Sequence, residues 1–277
     1  MLVKTAVIPA AGWGTRLLPL TKAIPKVMLP VGRKPAIQYV VEEIARSGIR
    51  RVVFVIGKGG EIIRDHFSSS ESLIRHLEKK NEKDLVDLLR YEKIGIEFHY
   101  VRQVNPRGLG NAVLQARGMV EGENFVVALG DAILELPPGD SVIRSLIQVQ
   151  KERSASAVLA VEEKDTELLS SYGVIIPVPG QKGEALDLEG VVEKPAPGKA
   201  PSSYAIAARY VFTPDIFPAL DQRNPVPGRE WELTDAVNYL CQNGKRVCAF
   251  ILKKNQARHD VGNYSAYCDV FNRFARS

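Results

Sequence analysis

Two glycines, an arginine and two lysines near the amino terminus carry the clearest chemistry in the chain. The run Ala10-Ala11-Gly12-Trp13-Gly14-Thr15-Arg16 follows a short apolar stretch. Closely spaced glycines let backbone N–H groups approach a phosphate chain and bind its oxygens. An arginine beside them grips phosphate with two parallel hydrogen bonds. The continuation from Leu18 to Pro30 carries Lys22 and Lys26 among Pro19, Pro25 and Pro30. The prolines exclude a helix and are expected to hold the segment extended, aiming both lysines back at the ligand of the glycine loop. A single lysine is usually a solvated surface group. Two, tethered between prolines beside such a loop, read as ligands of a triphosphate.

Gly12-x-Gly14 also begins like the dinucleotide fingerprint GxGxxG. Its third glycine position is Leu17, however, and Pro19 lies where that motif needs its helix to start. Both oppose a nicotinamide-dependent dehydrogenase.

The elements that must position these groups are legible from periodicity. Thr5 to Pro9 reads as a strand entering the glycine loop. Residues 35–47 have apolar groups at helical spacing with Gly48 beyond the end, as a helix and its cap require. Arg51 to Ile56 is a β-branched run suited to a parallel strand buried on both faces. Residues 62–67 and 70–91 read as helices, the second long and charge-laced. Strands are expected at 96–102 and 125–129, the latter ending at Gly130-Asp131, with a helix over 110–118 between them. Beyond them, strands are expected at 155–161, 172–177, 191–195, 205–212 and 247–252, with a Pro/Gly-rich loop over 195–201. Alternating strands and helices imply an α/β fold built on an open, mostly parallel sheet flanked by helices. In such sheets ligands bind beyond the carboxyl ends of the strands, so the loops after Ile8, Arg102 and Leu129 are where a site is expected.

Composition bounds the partners. A length of 277 residues, 45% of them hydrophobic, suffices for one large α/β core. The net charge of +5 favours anionic ligands. The densest basic cluster, Lys79, Lys80 and Lys83, is interleaved with Glu78, Glu82 and Asp84, which makes it a solvated helix face, so no nucleic-acid partner is expected. No apolar run reaches the roughly 20 residues of a membrane-spanning helix, and the first residues form too short an apolar run for a signal peptide. A cytoplasmic protein with no membrane partner is the expectation. Cys241, Cys248 and Cys268 match neither a metal site nor a disulfide framework and read as small buried thiols. His66, His76 and His99 read as structural, and His259 as a residue that orients backbone beside Asp260.

With these residues in view, the chain resembles the sugar nucleotidyltransferases, most closely those that transfer a uridylyl group to glucose 1-phosphate. The pattern AAGxGTRxLPxTKxxPKxMLP is matched from Ala10 to Pro30 with few differences. The likeness runs nearly end to end. It includes Val101-Arg102-Gln103, Gly108 to Val113, Gly130-Asp131, Tyr172-Gly173-Val174, Val192-Glu193-Lys194-Pro195, Glu232 to Ala236 and Asp260-Val261-Gly262-Asn263. The stretch from Phe67 to Glu78 is similar to a segment of the glucose uridylyltransferases that the shorter thymidylyltransferases lack. Trp13, Val27, Asn111 and Gly130 depart from the common pattern; Val27 stands where Glu or Gln is usual and Gly130 where Pro is frequent.

The resemblance implies a Rossmann-like, mixed but mostly parallel nucleotide-diphospho-sugar transferase fold in a single domain, with residues 1–135 binding nucleotide and 136–277 binding sugar phosphate. It implies UTP and glucose 1-phosphate as substrates, UDP-glucose and pyrophosphate as products, and Mg²⁺ as cofactor. Asp131 and Asp260 are the carboxylates it places on the metal. It places Glu193 on sugar hydroxyls, Lys194 on the sugar phosphate, and Gly173 as backbone against the sugar. Ala10, Ala11, Gly12, Gly14 and Thr15 would line the nucleotide, with Arg16 and Lys26 on its phosphates. Gln103 has one amide donor and one acceptor to offer a pyrimidine edge, and Gly108 would lie under the base. Arg16, Lys26 and Lys194 are the expected catalytic residues, and a homo-oligomer, dimer or tetramer, the expected assembly. The competing expectations are another nucleotide or hexose 1-phosphate, and a non-catalytic nucleotide-sugar-binding paralogue.

Overall fold

A computed structural model describes residues 3–120, 122–222 and 230–275. β1 (Thr5–Ala10) leads through three single-turn 3₁₀ helices, Thr15–Leu17, Leu20–Lys22 and Lys26–Met28, to the short hairpin β2 (Pro30–Val31) and β3 (Lys34–Pro35). The Pro-rich segment is therefore coiled, contrary to the extended chain expected from its prolines. Proline forbids a continuing α-helix, yet its fixed φ suits isolated tight turns. α1 (Ala36–Arg46) follows, ended by Gly48 at a φ of +97°, then β4 (Arg51–Ile56) and α2 (Glu61–Phe67).

The long helix expected over 70–91 is broken. α3 (Glu71–Lys79) and α4 (Lys83–Leu88) are separated by Asn81 at a φ of +59°, a left-handed conformation that Asn tolerates and a helix does not. β5 (Glu97–Arg102), α5 (Leu109–Gln115), β6 (Phe125–Ala128), β7 (Ala132–Glu135) and α6 (Val142–Arg153) complete the first part. Then come β8 (Ala157–Glu163), β9 (Gly173–Pro177), β10 (Ala185–Glu193), β11 (Tyr204–Phe212), α7 (Ile216–Gln222), α8 (Leu233–Gln242), β12 (Val247–Ile251), β13 (Ala257–Asp260) and α9 (Tyr264–Phe274). The short strand expected to end over 191–195 is the longer β10, which stops at Glu193.

Nine strands form one sheet in the order β5-β4-β1-β6-β11-β8-β12-β10-β9. β5, β4, β1 and β6 are parallel neighbours, and only β11 and β10 run against the common direction. The sheet is thus mixed and mostly parallel. β9 also pairs with β11 at Val174 and Ala205, so its second half curls back on itself. Val52, Phe54, Val53 and Val55 of β4 are all fully buried, the odd and even residues in separate apolar clusters on opposite faces, as a parallel strand covered on both faces requires. The parallel strands bring Ala11, Gly57, Gln103 and Asp131 to one edge of the sheet. A separate ribbon, β7 with β13, sets Ala132 opposite Asp260. It carries residues of the last part of the chain to the loop after β6.

Candidate active site

The loop after β1 is open at Gly12, where a Cβ would meet nothing within 4 Å. Ala10 and Ala11 are nearly buried at its base. Gly14 has a φ of +64°, and a Cβ there would lie 2.9 Å from Thr21 Cγ2; the Thr21 hydroxyl donates to Gly14 O at 2.8 Å. Gly14 therefore lets the first 3₁₀ turn fold back on the second. Thr15 and Arg16 are exposed at its start, and Lys22 is exposed at the end of the second turn. The next turn brings Lys26 inward.

Lys26 Nζ lies 2.5 Å from Asp131 Oδ2, both side chains largely shielded. Asp131 holds the Lys26 ammonium above its ordinary value, against burial, which lowers it. Burial pushes the Asp131 carboxyl up, but the charge and hydrogen bond of Lys26 outweigh it and leave the carboxyl below its usual range. Asp260 is raised, by burial first and then by the negative charge of Asp131, with Arg258, Lys26 and Arg16 pulling the other way. Val261 N donates to Asp131 O at 2.9 Å, so backbone locks the two aspartate segments together. Arg16, Lys26, Asp131 and Asp260 thus act on one another electrostatically although three separate segments supply them.

The aspartate pair suits a hard cation. Burial first and the negative charge of Asp131 second raise Asp260; a divalent ion held by the pair would favour both ionised. Among the described residues no group of three or more acidic, histidine or cysteine side chains is gathered for a metal. Two carboxylates with phosphate oxygens and water are nevertheless what Mg²⁺ commonly takes.

Arg258, two residues before Asp260 and so on the same face of β13, was not anticipated. Its side chain is 5% exposed, its Nη1 donates to Asp260 at 3.1 Å, and its Nε donates to Glu162 at 2.5 Å. Its guanidinium also lies 4.6 Å from the centre of the Tyr172 ring. The period-two spacing from a suspected ligand is the signal by which the sequence could have revealed it.

Tyr172 leads into the second cluster. Its carbonyl accepts from Lys194 N at 3.0 Å, and Lys194 takes a φ of +44°, a left-handed backbone that non-glycine residues adopt mainly where surroundings impose it. Lys194 Nζ is 3.2 Å from Glu193 and 3.9 Å from Glu232. Thr234 Oγ1 donates to Glu193 Oε2 at 3.0 Å. Gly173 is packed so closely that a Cβ would lie 2.9 Å from Ile206 Cδ1 and 3.2 Å from Glu193 Oε2. Glu232, at the amino end of α8, joins this cluster; burial and then the charge of Glu193 raise its carboxyl.

At the edge next to β1, Gln103 N donates to Ile56 O at 2.9 Å. Its buried side-chain amide donates to Asn111 Oδ1 at 2.7 Å, which fixes the orientation of the amide. Gly57 packs on Ala11, where a Cβ would approach Ala11 O to 2.9 Å. Gly108 also meets a backbone constraint of its own. Its φ is +109° and a Cβ would strike the Trp231 backbone at 2.6 Å. Here glycine admits the chain at Trp231, whose N donates to Arg107 O and whose O accepts from Gly110 N, both at 2.7 Å. His259 faces away from the aspartates, its ring 2.8 Å from Glu135. His66 is likewise held by Gln38 and stacked on Tyr91.

A model of the nucleotidyl transferase family matches residues 5–277. The chain is 42% identical over 262 residues to a UTP--glucose-1-phosphate uridylyltransferase of Streptococcus pneumoniae, covering 94% of this chain and 86% of that protein. Its fold superposes on a UDP-glucose pyrophosphorylase complexed with UDP-glucose with a TM-score of 0.88 at 33% identity, over 99% of each chain. A UTP-bound UGPase from Acinetobacter baumannii also gives 0.88, at 32% identity over 99% of this chain and 93% of that one.

Proposed function

The chain belongs to the nucleotidyl transferase family, and from that premise we propose that it transfers the uridylyl group of UTP to glucose 1-phosphate, releasing pyrophosphate and forming UDP-glucose. Relatives named or solved with these substrates support the substrate pair. The observation that carries the reading is the continuity of two charged clusters. Arg16, Lys26, Asp131 and Asp260 are joined through Arg258 and Tyr172 to Glu193 and Lys194.

A phosphate oxygen of the sugar attacks the α-phosphorus of UTP in line with departing pyrophosphate, so no protein nucleophile is needed. Two polyanions must meet, and cancelling their repulsion while aligning them is the main task. The open backbone at Ala10, Ala11, Gly12, Gly14 and Thr15 receives the nucleotide, with Arg16 and Lys26 on its phosphates. Gln103, its amide held by Asn111, faces the uracil edge, and Gly108, packed against Trp231, lies under the base. Lys194 takes the sugar phosphate, Glu193 the sugar hydroxyls, and Gly173 admits the ring. Asp131 and Asp260 would hold Mg²⁺, which when bound draws charge from the phosphate oxygens and fixes their direction. On UTP binding, Lys26 would exchange part of its contact with Asp131 for phosphate.

The same reading assigns residues 1–135 to nucleotide and 136–277 to sugar phosphate, with Asp260 crossing between them on β13. Among the described residues no helix is long and apolar enough to cross a membrane, and the three cysteines are free, as a reducing compartment leaves them. A cytoplasmic placement belongs to the same reading. Assembly as a homo-oligomer belongs to the reading too, and light scattering reads it.

Pyrophosphate release across a matrix of triphosphates and sugar phosphates tests the proposal. UTP with glucose 1-phosphate should give the highest kcat/KM. A higher value with dTTP or another sugar would replace the substrate pair, and no release with any pair would leave a nucleotide-sugar-binding paralogue.

A further inference from the structure

One ion pair has no place among the groups that would touch substrate. The Arg209 side chain is fully buried, and its Nη2 lies 2.7 Å from Glu43 Oε2, on a side chain only 2% exposed. Glu43 lies in α1, whose first residue Ala36 donates its N–H to Leu29 O in the segment just after Lys26. Arg209 lies in β11, where the register against β8 shifts between Ile206 and Tyr210 and Ala208 takes a φ of +61°. The guanidinium has further donors, and they point to backbone. Nη1 donates to Ala208 O at 3.1 Å and to Leu129 O at 3.4 Å, and Nη2 donates to Ala132 O at 2.9 Å. Leu129 and Ala132 bracket Gly130-Asp131. Leu129 N in turn donates to Ala208 O at 3.1 Å.

A buried ion pair is a weak source of stability, because desolvation offsets its attraction and well-packed apolar residues of similar volume often do as well or better. A guanidinium offers something that leucine or methionine does not, namely several donors at fixed angles. Here they hold both sides of the turn that carries Asp131, while Glu43 ties them to the helix that follows Lys26. We propose that Arg209, oriented by Glu43, is a positioning residue: it sets the 129–132 turn so that the Asp131 carboxylate meets the metal and Lys26 in a fixed place. It touches no substrate. The inference rests on the reading of Asp131 as a metal ligand.

Manganese binding in the presence of UTP, followed by the electron paramagnetic resonance of free Mn²⁺, tests it apart from turnover. Three full-length proteins are compared with the parent: Asp131→Asn, Arg209→Lys, and Arg209→Met combined with Glu43→Leu. Lysine keeps a charge for Glu43 but cannot span both carbonyls. The double variant removes both charges, so it retains a folded chain should the lysine variant not fold. Both should bind Mn²⁺ about 10–100-fold more weakly, the usual effect of removing an outer partner that orients a ligand. The melting temperature of the double variant should stay near that of the parent, and the KM for glucose 1-phosphate should shift less than the metal affinity. Parental Mn²⁺ affinity in either folded variant overturns the positioning role. Parental affinity in Asp131→Asn instead overturns the metal reading, and the inference with it.

Discussion

Val27 and Gly130, two of the residues that depart from the family pattern, pack against each other. A Cβ on Gly130 would lie 3.0 Å from Val27 Cγ1 and 3.2 Å from Ile8 Cγ2, and Val27 is 1% exposed. The missing side chain at one position leaves space for the branched, apolar one at the other, directly before Asp131. Gly130→Ala should therefore destabilise the protein by about 1–3 kcal/mol, the usual cost of overpacking a filled interior. Val27→Ala in the same chain should recover most of that loss. Denaturant melts of the two single variants and the double variant measure the coupling, and additive losses would show the contact to be inconsequential.

Lys194→Ala should raise the KM for glucose 1-phosphate and lower kcat, together reducing kcat/KM by about 10²–10³-fold, as removal of one charge-stabilising donor does. The KM for UTP should change little, because Lys194 lies among Glu193, Glu232 and the Tyr172 carbonyl, away from the glycine loop. Steady-state kinetics with each substrate varied in turn decides it. An equal rise in both KM values would argue against a sugar-phosphate role.

Gln103→Ala should narrow the margin by which UTP is preferred, by about 1–3 kcal/mol or roughly 10–100-fold, the penalty for leaving buried polar groups unpaired. Asn111→Ala should act in the same direction and more weakly, since Asn111 only holds the Gln103 amide at 2.7 Å. Relative kcat/KM for UTP and CTP is the measurement, since thymine shares the imide edge of uracil; an undiminished preference in Gln103→Ala would remove it from base recognition.

The charged centre fixes a pH dependence for the metal-free, ligand-free protein. Asp131 is held below its ordinary 3.8, so its stabilising share is present above that value and lost as pH falls through the lower folded value. Lys26 is held above its ordinary 10.5, so its share is complete below 10.5 and lost as pH rises through the higher folded value. The pair therefore supports the fold between about pH 4 and 10. Asp260 is raised above 3.8 and has the opposite sign, opposing folding once pH passes that value. Lys26→Met leaves the burial of Asp131 largely unopposed, so the stability of that variant should fall as pH rises past about 4. Asp260→Asn should raise the neutral-pH melting temperature by roughly 2–4 °C per kcal/mol relieved, while weakening metal binding. Melting curves from pH 3 to pH 11 check both signs.

Local features were legible from residue type and spacing. The glycine loop, Lys26 and the Gly130-Asp131 turn are short segments whose residue types and spacing state their chemistry, and alternating β-branched and helical periods gave the mostly parallel sheet that sets them on one edge. Propensity also placed the ends of α1, where Gly48 supplies the positive φ a helix stop needs. What local signals could not supply were relations between distant segments. Asp260 reaches Asp131 only because β13 pairs with β7, and Arg258 links the two charged clusters only once the chain has folded. In the Pro-rich stretch proline excludes a helix without choosing between extended chain and tight turns, and Thr21 packed on Gly14 accompanies the turns. The close approach of Trp231 to Gly108 is likewise a relation that no local signal carries. Burial, charge pairing and close backbone approach belong to neighbours in space, and only the tertiary structure decides which those are.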